Sequence, residues 1–166
     1  MTTVFLSYST KDFFFADLAE IKLKEADIRL WRDQGHLVTG EDWRSGIERG
    51  LSESAAVVVA LSPNSAQSSY VTYEWAYAMG RGKPIIPLKL EECQIHPRLE
   101  AIQYLDFSNR AAQPWQSLIE RIRQIAGPAL ERANRDDVAS RAIHGYLQGL
   151  HSERTPGEMS TPTGQL

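Results

Sequence analysis

Glu74 is a carboxylate set among aromatic rings in the stretch SSYVTYEWAYAMG. Tyr73 and Trp75 flank it, while Tyr70 stands four residues before it and Tyr77 three residues after it. Residues three and four apart share one face of a helix, so the spacing predicts a face that carries rings and one acid. Such a face is either the edge of a core with a solvated acid or a pocket for a flat, cationic ligand. By residue type alone, a glutamate on a helix favours the solvated interpretation.

Other kinds of chemical site have weak support. Gly80 and Gly82 end a predicted helix instead of joining a strand to a helix start, so neither nucleotide-binding glycine loop is present. The four histidines are scattered and there is one cysteine, so no metal site is predicted. The serines of SPNSAQSS lack the GxSxG pattern of a hydrolase, and we expect them to cap a helix and bind its free amides.

Bulk composition narrows the class of protein. A chain of 166 residues with 42% hydrophobic and 23% charged residues is typical of one globular domain. The net charge of -3 provides no basic field for nucleic acid. Cys93 is the only cysteine, which excludes an internal disulfide and favours a reducing compartment. We find no charged leader with an apolar run and no stretch of about 20 apolar residues, so a cytoplasmic protein without a membrane contact is expected.

Short apolar runs alternate with stretches of helical period. Strands are predicted over 3–7, 28–32, 55–61, 84–88 and 102–107. The third run, AAVVVAL, shows no alternation, which is typical of a strand buried on both faces in the middle of a parallel sheet. Pro84 and Pro87 cannot donate to a ladder, so we expect the fourth strand toward an edge.

The helical stretches lie between these strands, over 11–26, 43–52, 64–80 and 115–125. In the first of them, Phe14, Leu18 and Ile21 recur at helical spacing and are predicted to face the core. Asp12 is expected to cap that helix. A further sparse apolar pattern predicts a helical extension over 128–151, and the polar segment 152–166 is typical of a flexible tail or linker.

Alternating strands and helices predict an α/β fold, a flavodoxin-like three-layer sandwich with a five-stranded parallel sheet. In such sheets ligands bind beyond the carboxyl ends of the strands. That rule selects four segments, namely residues 7–10, 33–40, 62–69 and the start of the helix that carries Glu74.

Four stretches in order carry a family resemblance: VFLSYSTKD, WRDQGHLVTGEDWRSGIERGL, AAVVVALSPNSAQSSYVTYEWAYA and KPIIPL. Together they resemble a Toll/interleukin-1 receptor (TIR) domain of the bacterial form, over about residues 1–127. The family's F-I-S-Y strand is matched by FLSY, and its BB loop by the segment from Asp33 to Gly40. Its serine-rich turn before a helix with an aromatic residue and a glutamate is matched by Ser62, Ser69, Tyr70 and Glu74.

The resemblance implies an activity, because enzymatic members of the family need this glutamate to cleave NAD+ between nicotinamide and ribose. Carried over, that role falls on Glu74, with NAD+ as substrate and no cofactor. The chemistry is consistent with one carboxylate, since the nicotinamide leaves neutral without a general acid. An anion then stabilises the oxocarbenium-like ribose. Capture by water gives ADP-ribose, and capture by the adenine end gives a cyclic product.

The resemblance also implies nucleotide contacts at Ser9, Thr10 and Gly35, with Tyr8 or Trp43 stacking on a ring. Many bacterial enzymes have Trp four residues before the glutamate, where this chain has Tyr70. The smaller ring of Tyr70 is expected to change where the adenine ring lies and therefore which product forms. Packing of Tyr70 within the helix is the other interpretation.

Functions of different classes stay open at this point. The first is an NAD+-cleaving signalling or anti-phage defence effector that works when TIR domains assemble through the loop from Asp33 to Gly40, with an activating partner. The second is a TIR scaffold that only mediates TIR-to-TIR contacts. A deoxyribosyltransferase shares the architecture and uses a glutamate. A phosphoacceptor receiver is disfavoured, because Ser7, Tyr8 and Ser62 stand where it needs acids.

Overall fold

The computed structural model describes residues 1–32 and 42–152 of the chain. Its strands are β1 (Thr2–Ser7), β2 (Ile28–Arg32), β3 (Ala56–Leu61), β4 (Ile85–Lys89) and β5 (Leu105–Asp106). They form one sheet in the order β2-β1-β3-β4-β5, and every neighbouring pair is parallel. The predicted flavodoxin-like strand order is therefore confirmed.

Six helices connect or follow the strands in the described part of the chain. They are α1 (Phe13–Glu25), α2 (Trp43–Glu53), α3 (Pro63–Ala66), α4 (Ser69–Gly80), α5 (Pro97–Glu100) and α6 (Trp115–Ser152). The sequence predicts one helix over 64–80, whereas the structure has two, because Ser68 begins a new helix after the short α3.

The sheet has a core on each face. Val4 and Leu6 of β1 join the cluster on the face covered by α1 and the first part of α6, which we call the α1 face. Phe5 joins the cluster on the opposite face, together with residues of α2 and α4, which we call the α4 face. All residues of β3 are buried, because β3 lies in the middle of the sheet between helices on both sides. The unalternating run AAVVVAL is explained by this position.

The predicted core stripe of α1 is wrong. Phe14 is 76% exposed, Ile21 is 56% exposed and Leu18 is 37% exposed. The buried side chains of this helix are instead Phe15, Ala16, Ala19 and Leu23. Both sets recur at helical spacing, and the small alanines let the helix axis come close to the sheet.

The fourth strand lies one position in from the edge of the sheet. Pro84 precedes β4, and Pro87 is buried within it opposite Val59 of β3. On its other side, β5 pairs only with Leu88 and Lys89. A proline is tolerated here because most of β4 has no ladder partner on that side.

The chain divides into two compact units, Met1–Ala129 and Leu130–Leu166. Within the first unit, Leu118 and Ile122 of α6 are fully buried against the α1 face. The sequence predicts a helix over 115–125 and a helical extension over 128–151, whereas the structure has Pro128 inside a single helix, α6. Among the described residues, no helix combines the length and the apolar character that a membrane crossing requires.

Candidate active site

Glu74 is buried in the core-facing side of α4. The buried residues of this helix are Val71, Glu74, Trp75 and Ala78, which follow the spacing of a single helix face. The Glu74 side chain is on that stripe and only 6% of the residue is exposed. It therefore departs from the solvated interpretation and lies at the edge of the buried stripe, one helical turn from the exposed Tyr70.

Ser7 at the end of β1 donates a hydrogen bond to this carboxylate. Its Oγ lies 2.5 Å from Oε2 of Glu74, and Ser7 itself is fully buried. Alternation along β1 explains the contact, because Ser7 stands two residues after Phe5 and so points to the α4 face. A hydroxyl bond to an ionised acceptor is short and strong, which offsets part of the desolvation of the acid. The sequence places Ser7 in the segment 7–10 at the ligand-binding edge but assigns it no role, although its strand position relative to Phe5 was a usable signal.

The turn after β1 carries three predicted nucleotide contacts. Ser9 is 8% exposed, and its hydroxyl accepts a hydrogen bond of 3.4 Å from the backbone N–H of Lys11. Thr10 is exposed and opens a 3₁₀ turn, Thr10–Asp12. Tyr8 packs against the cluster on the α1 face, so it lies on the other side of the sheet from Glu74. The structure thus brings Glu74 together with Ser7 and not with Tyr8.

Asp12 does not cap α1 with its side chain, contrary to expectation. Its carboxylate instead accepts a hydrogen bond of 2.5 Å from Oγ of Ser62 and one of 2.8 Å from Nδ2 of Asn64. These bonds join the turn after β1 to the turn after β3, at the carboxyl edge of the sheet. Asp12 therefore connects two loops of this edge.

The serine-rich turn positions the start of α4. Ser62 accepts a hydrogen bond from the backbone N–H of Ser65, and the two residues form a reciprocal capping box at the start of α3. Ser68 accepts a hydrogen bond from the backbone N–H of Val71 and so caps α4. The prediction that these serines cap helices is confirmed.

Trp43 and Tyr70 are brought together on the α4 face. Their ring centroids are 4.8 Å apart with a tilt of 52°, and 47% of Tyr70 is exposed. The Arg44 guanidinium lies 4.9 Å from the centroid of the Trp43 ring. Both aromatic residues therefore border the same half of the sheet as Glu74, with the Tyr70 ring within reach of solvent.

Tyr73 extends this aromatic group along α4. Its ring meets that of Trp43 edge to face at a centroid distance of 5.1 Å. Burial raises the pKa of the Tyr73 phenol, and the neighbouring Glu48 carboxylate raises this pKa further. The phenol stays protonated at neutral pH and donates a hydrogen bond of 3.4 Å to Oε1 of Glu48.

Two points of the sequence analysis remain, namely the loop contacts and the question of a metal site. Gly35 and the loop from Asp33 to Gly40 lie outside the described residues. Among the residues that are described, no three histidine, cysteine, aspartate or glutamate side chains gather in a way that would hold a metal ion.

Solved structures of other proteins share this fold. The TIR domain of the Toll-related receptor TRR-2 from Hydra magnipapillata matches with a TM-score of 0.64 and 22% identity, covering 72% of this chain and 97% of that chain. The TIR domains of the activated Roq1 resistosome match with a TM-score of 0.54 and 19% identity, covering 75% and 98%. A 2-deoxyribosyltransferase from Bacillus psychrosaccharolyticus matches with a TM-score of 0.55 and 10% identity, covering 71% and 90%.

A search of curated proteins found no match. At the level of sequence families, residues 4–122 match the model described as TIR domain, which spans more than half of the chain. This chain therefore belongs to the TIR domain family.

Proposed function

We propose that this protein cleaves NAD+ at the bond between nicotinamide and ribose, with Glu74 as the catalytic carboxylate. The observation that supports the proposal is the buried Glu74 carboxylate, held by the Ser7 hydroxyl at the carboxyl end of β1. A desolvated acid lowers stability and is retained at few places other than functional sites. The carboxyl edge of the sheet is also where ligands bind in folds of this type.

The reaction balances with one carboxylate and one water. The bond between C1′ of ribose and the pyridinium nitrogen breaks, and its electron pair goes to the nitrogen, so nicotinamide leaves neutral. Glu74 stabilises the oxocarbenium-like sugar, and this attraction is stronger in a buried site than in water. Water then adds to C1′ and releases a proton, which gives ADP-ribose. Capture by an adenine nitrogen gives the cyclic product instead.

Ser7 acts in this proposal as a positioning residue. Its hydrogen bond restrains the rotamer of Glu74, so the acid is oriented before the substrate binds. Ser9 and Thr10 are proposed nucleotide contacts in the turn that follows. The Trp43–Tyr70 pair offers an aromatic surface for a ring of the substrate. Tyr8 and Gly35 remain proposed contacts by the family resemblance.

We further propose that the activity depends on assembly, as in a bacterial signalling or anti-phage defence effector. One structural relative is described as an activated resistosome in which TIR domains are present. In this chain, the loop from Asp33 to Gly40 is the proposed contact for self-association, and a partner domain or protein supplies the activating signal. Variants of that loop are expected to lower turnover by weakening self-association, so that activity no longer rises with protein concentration.

A scaffold that only mediates TIR-to-TIR contacts is the second candidate. The TRR-2 structure supports it, because its description is that of a receptor domain. In a scaffold, the Ser7–Glu74 bond would serve packing alone. The deoxyribosyltransferase of similar fold adds a third substrate class, deoxynucleosides, which a substrate panel distinguishes from NAD+.

The deciding experiment is NAD+ consumption with product identification, at protein concentrations that span self-association. We expect the wild type to release nicotinamide, and Glu74→Gln to lower turnover by about 10²-fold or more. Glu53→Gln is the matched control, since it makes the same change at an exposed position near the end of α2. Equal turnover by Glu74→Gln and wild type would remove Glu74 from the mechanism. An assembled wild type that leaves NAD+ intact would favour the scaffold.

A further inference from the structure

A cavity lies at the carboxyl edge of the sheet, on the α1 face. Its volume is about 580 Å³, within the range of sites that bind small molecules. Phe15 and Phe107 of the α1-face core contribute to its walls, while Glu74 belongs to α4 on the opposite face. The cavity is therefore separate from the candidate active site.

The polar part of this cavity is formed around Asp12. Each oxygen of its carboxylate accepts one hydrogen bond, from Ser62 and from Asn64 respectively. A carboxylate oxygen has two lone pairs, so Asp12 can accept further donors from a ligand. The two bonds already present fix the orientation of the acid, and Asp12 is only partly exposed. A vicinal diol is a suitable ligand group, as for the acid that binds ribose hydroxyls in dinucleotide sites.

The apolar part contains an exposed ring. Phe14 lines the cavity and is 76% exposed, although it belongs to a helix that buries other residues against the sheet. Leu18, one turn further along α1, lines the cavity beside it. An exposed aromatic face next to polar groups is a surface on which a flat heterocycle can stack.

Two cationic side chains, Lys11 and Arg110, and the Glu91 carboxylate complete the charged part of the cavity. Lys11 adjoins Asp12 in the turn after β1 and is exposed. Arg110 lies before α6, and its ion pair with Glu91 is loose, at 3.7 Å between exposed groups. A pair of this kind contributes little and can exchange for a ligand phosphate.

We propose that this cavity binds a nucleoside monophosphate. The base stacks on Phe14, the ribose hydroxyls donate to Asp12, and the phosphate accepts from Lys11 and Arg110. The three kinds of group that such a ligand presents are matched by three kinds of side chain around one cavity. The proposal requires no catalysis at Glu74 and goes beyond the function proposed above.

The test is calorimetric titration of the full chain with AMP and with 2′-deoxy-AMP. For the wild type we expect AMP to bind about tenfold more tightly, because only AMP presents the 2′-hydroxyl to Asp12. In Asp12→Asn the two ligands should bind with equal, weakened affinity. If Asp12→Asn weakens the binding of both ligands by the same factor, the preference for AMP survives. Asp12 then does not recognise the ribose hydroxyls, and the proposal is overturned.

Matched variants locate the base and the phosphate. Phe14→Ala should weaken AMP binding about fivefold or more, while Ile21→Ala, an exposed apolar residue of the same helix, should leave it unchanged. Lys11→Glu should weaken AMP binding about tenfold, and Lys24→Glu, at another exposed lysine, should not. Equal effects within either pair would contradict the assigned pose.

Two further controls separate this cavity from the others. Glu74→Gln should keep wild-type affinity for AMP, so loss of the proposed activity and loss of AMP binding are independent results. Cys93, the only cysteine, lines a different cavity together with Trp75 and His96. Protection of Cys93 from maleimide by AMP would place the ligand there instead and overturn the proposal.

Discussion

Glu74 and Asp12 are two carboxylates at the same edge of the sheet, and each accepts a serine hydroxyl at 2.5 Å. Their surroundings differ. Glu74 is 6% exposed and its donor, Ser7, is fully buried in β1. Asp12 is partly exposed, and its second donor, Asn64, is exposed to solvent. One bond length thus occurs in two environments of different polarity.

The contrast teaches that burial, more than hydrogen-bond length, decides what such a bond contributes. On the α4 face, a missing donor leaves a charge in a medium of low polarity, where water cannot replace the bond. On the α1 face, Asp12 is partly exposed and water can replace the exposed Asn64 donor, whereas the Ser62 donor is itself buried, so Asp12 mainly holds two turns together. We therefore expect the hydrogen bond between Ser7 and Glu74 to affect catalysis. The hydrogen bond between Ser62 and Asp12 should affect the order of the two turns that it joins.

The largest expected difference is in stability after removal of each serine hydroxyl. Ser7→Ala should lower the free energy of unfolding by about 3 kcal/mol, because a buried carboxylate loses a donor. Ser62→Ala should lower it by about 1 kcal/mol, since it removes a helix cap while Asp12 gains water. Urea denaturation of both variants measures the difference through their midpoints.

A double-mutant cycle sharpens this prediction. In a Glu74→Gln background the additional loss from Ser7→Ala should fall below about 1 kcal/mol, since the Ser7 hydroxyl then bonds to a neutral amide instead of a carboxylate. Equal losses of unfolding free energy in Ser7→Ala and Ser62→Ala would mean that burial does not distinguish the Ser7–Glu74 bond from the Ser62–Asp12 bond.

The next largest effect is the change in the free energy of unfolding when each acid is replaced by its amide, and its sign differs between Glu74 and Asp12. Glu74→Gln should raise the free energy of unfolding by about 1 kcal/mol, because it removes a desolvated charge and keeps an acceptor for Ser7. Asp12→Asn should lower it by about 1 kcal/mol, because an amide cannot accept on both sides from Ser62 and Asn64. Thermal and urea unfolding at neutral pH give both values. A loss of stability in Glu74→Gln would show that its charge is well solvated by its partners.

The sequence predicts the sheet well because its signals are local. The run AAVVVAL is typical of a strand covered on both faces, and the helical stretches on either side of it favour parallel crossovers. The serine caps are equally local, since Ser62 and Ser68 bind amides within three residues. Such features need no knowledge of which faces meet.

The face that a helix buries is a different kind of question. In α1, two sets of apolar residues have helical spacing, and the set with Ala16 and Ala19 packs on the sheet. In α4, the rings of Tyr70 and Tyr77 suggest one face for Glu74, while Val71 and Trp75 define the face that is buried. Only the packing of the helix against the sheet decides which of the two sets is buried. This packing is a tertiary interaction, which the spacing of residues within one helix does not determine.

The smallest expected effect on stability is at Asn64, the exposed residue that donates a hydrogen bond to Asp12. Asn64→Ala removes the 2.8 Å bond to Asp12, but both groups reach water, so the free energy of unfolding should fall by only about 0.5 kcal/mol. Asn64→Asp should cost more, because it sets a second negative charge beside Asp12. The excess of Asn64→Asp over Asn64→Ala should shrink at about 1 M salt, where exposed charges are screened within a few ångströms. The loss in Ser7→Ala should persist at the same salt, because ions do not enter a buried site. A persistent excess at Asn64→Asp, measured by urea unfolding at both salt concentrations, would place Asp12 in the same low-polarity environment as Glu74 and remove the distinction between them.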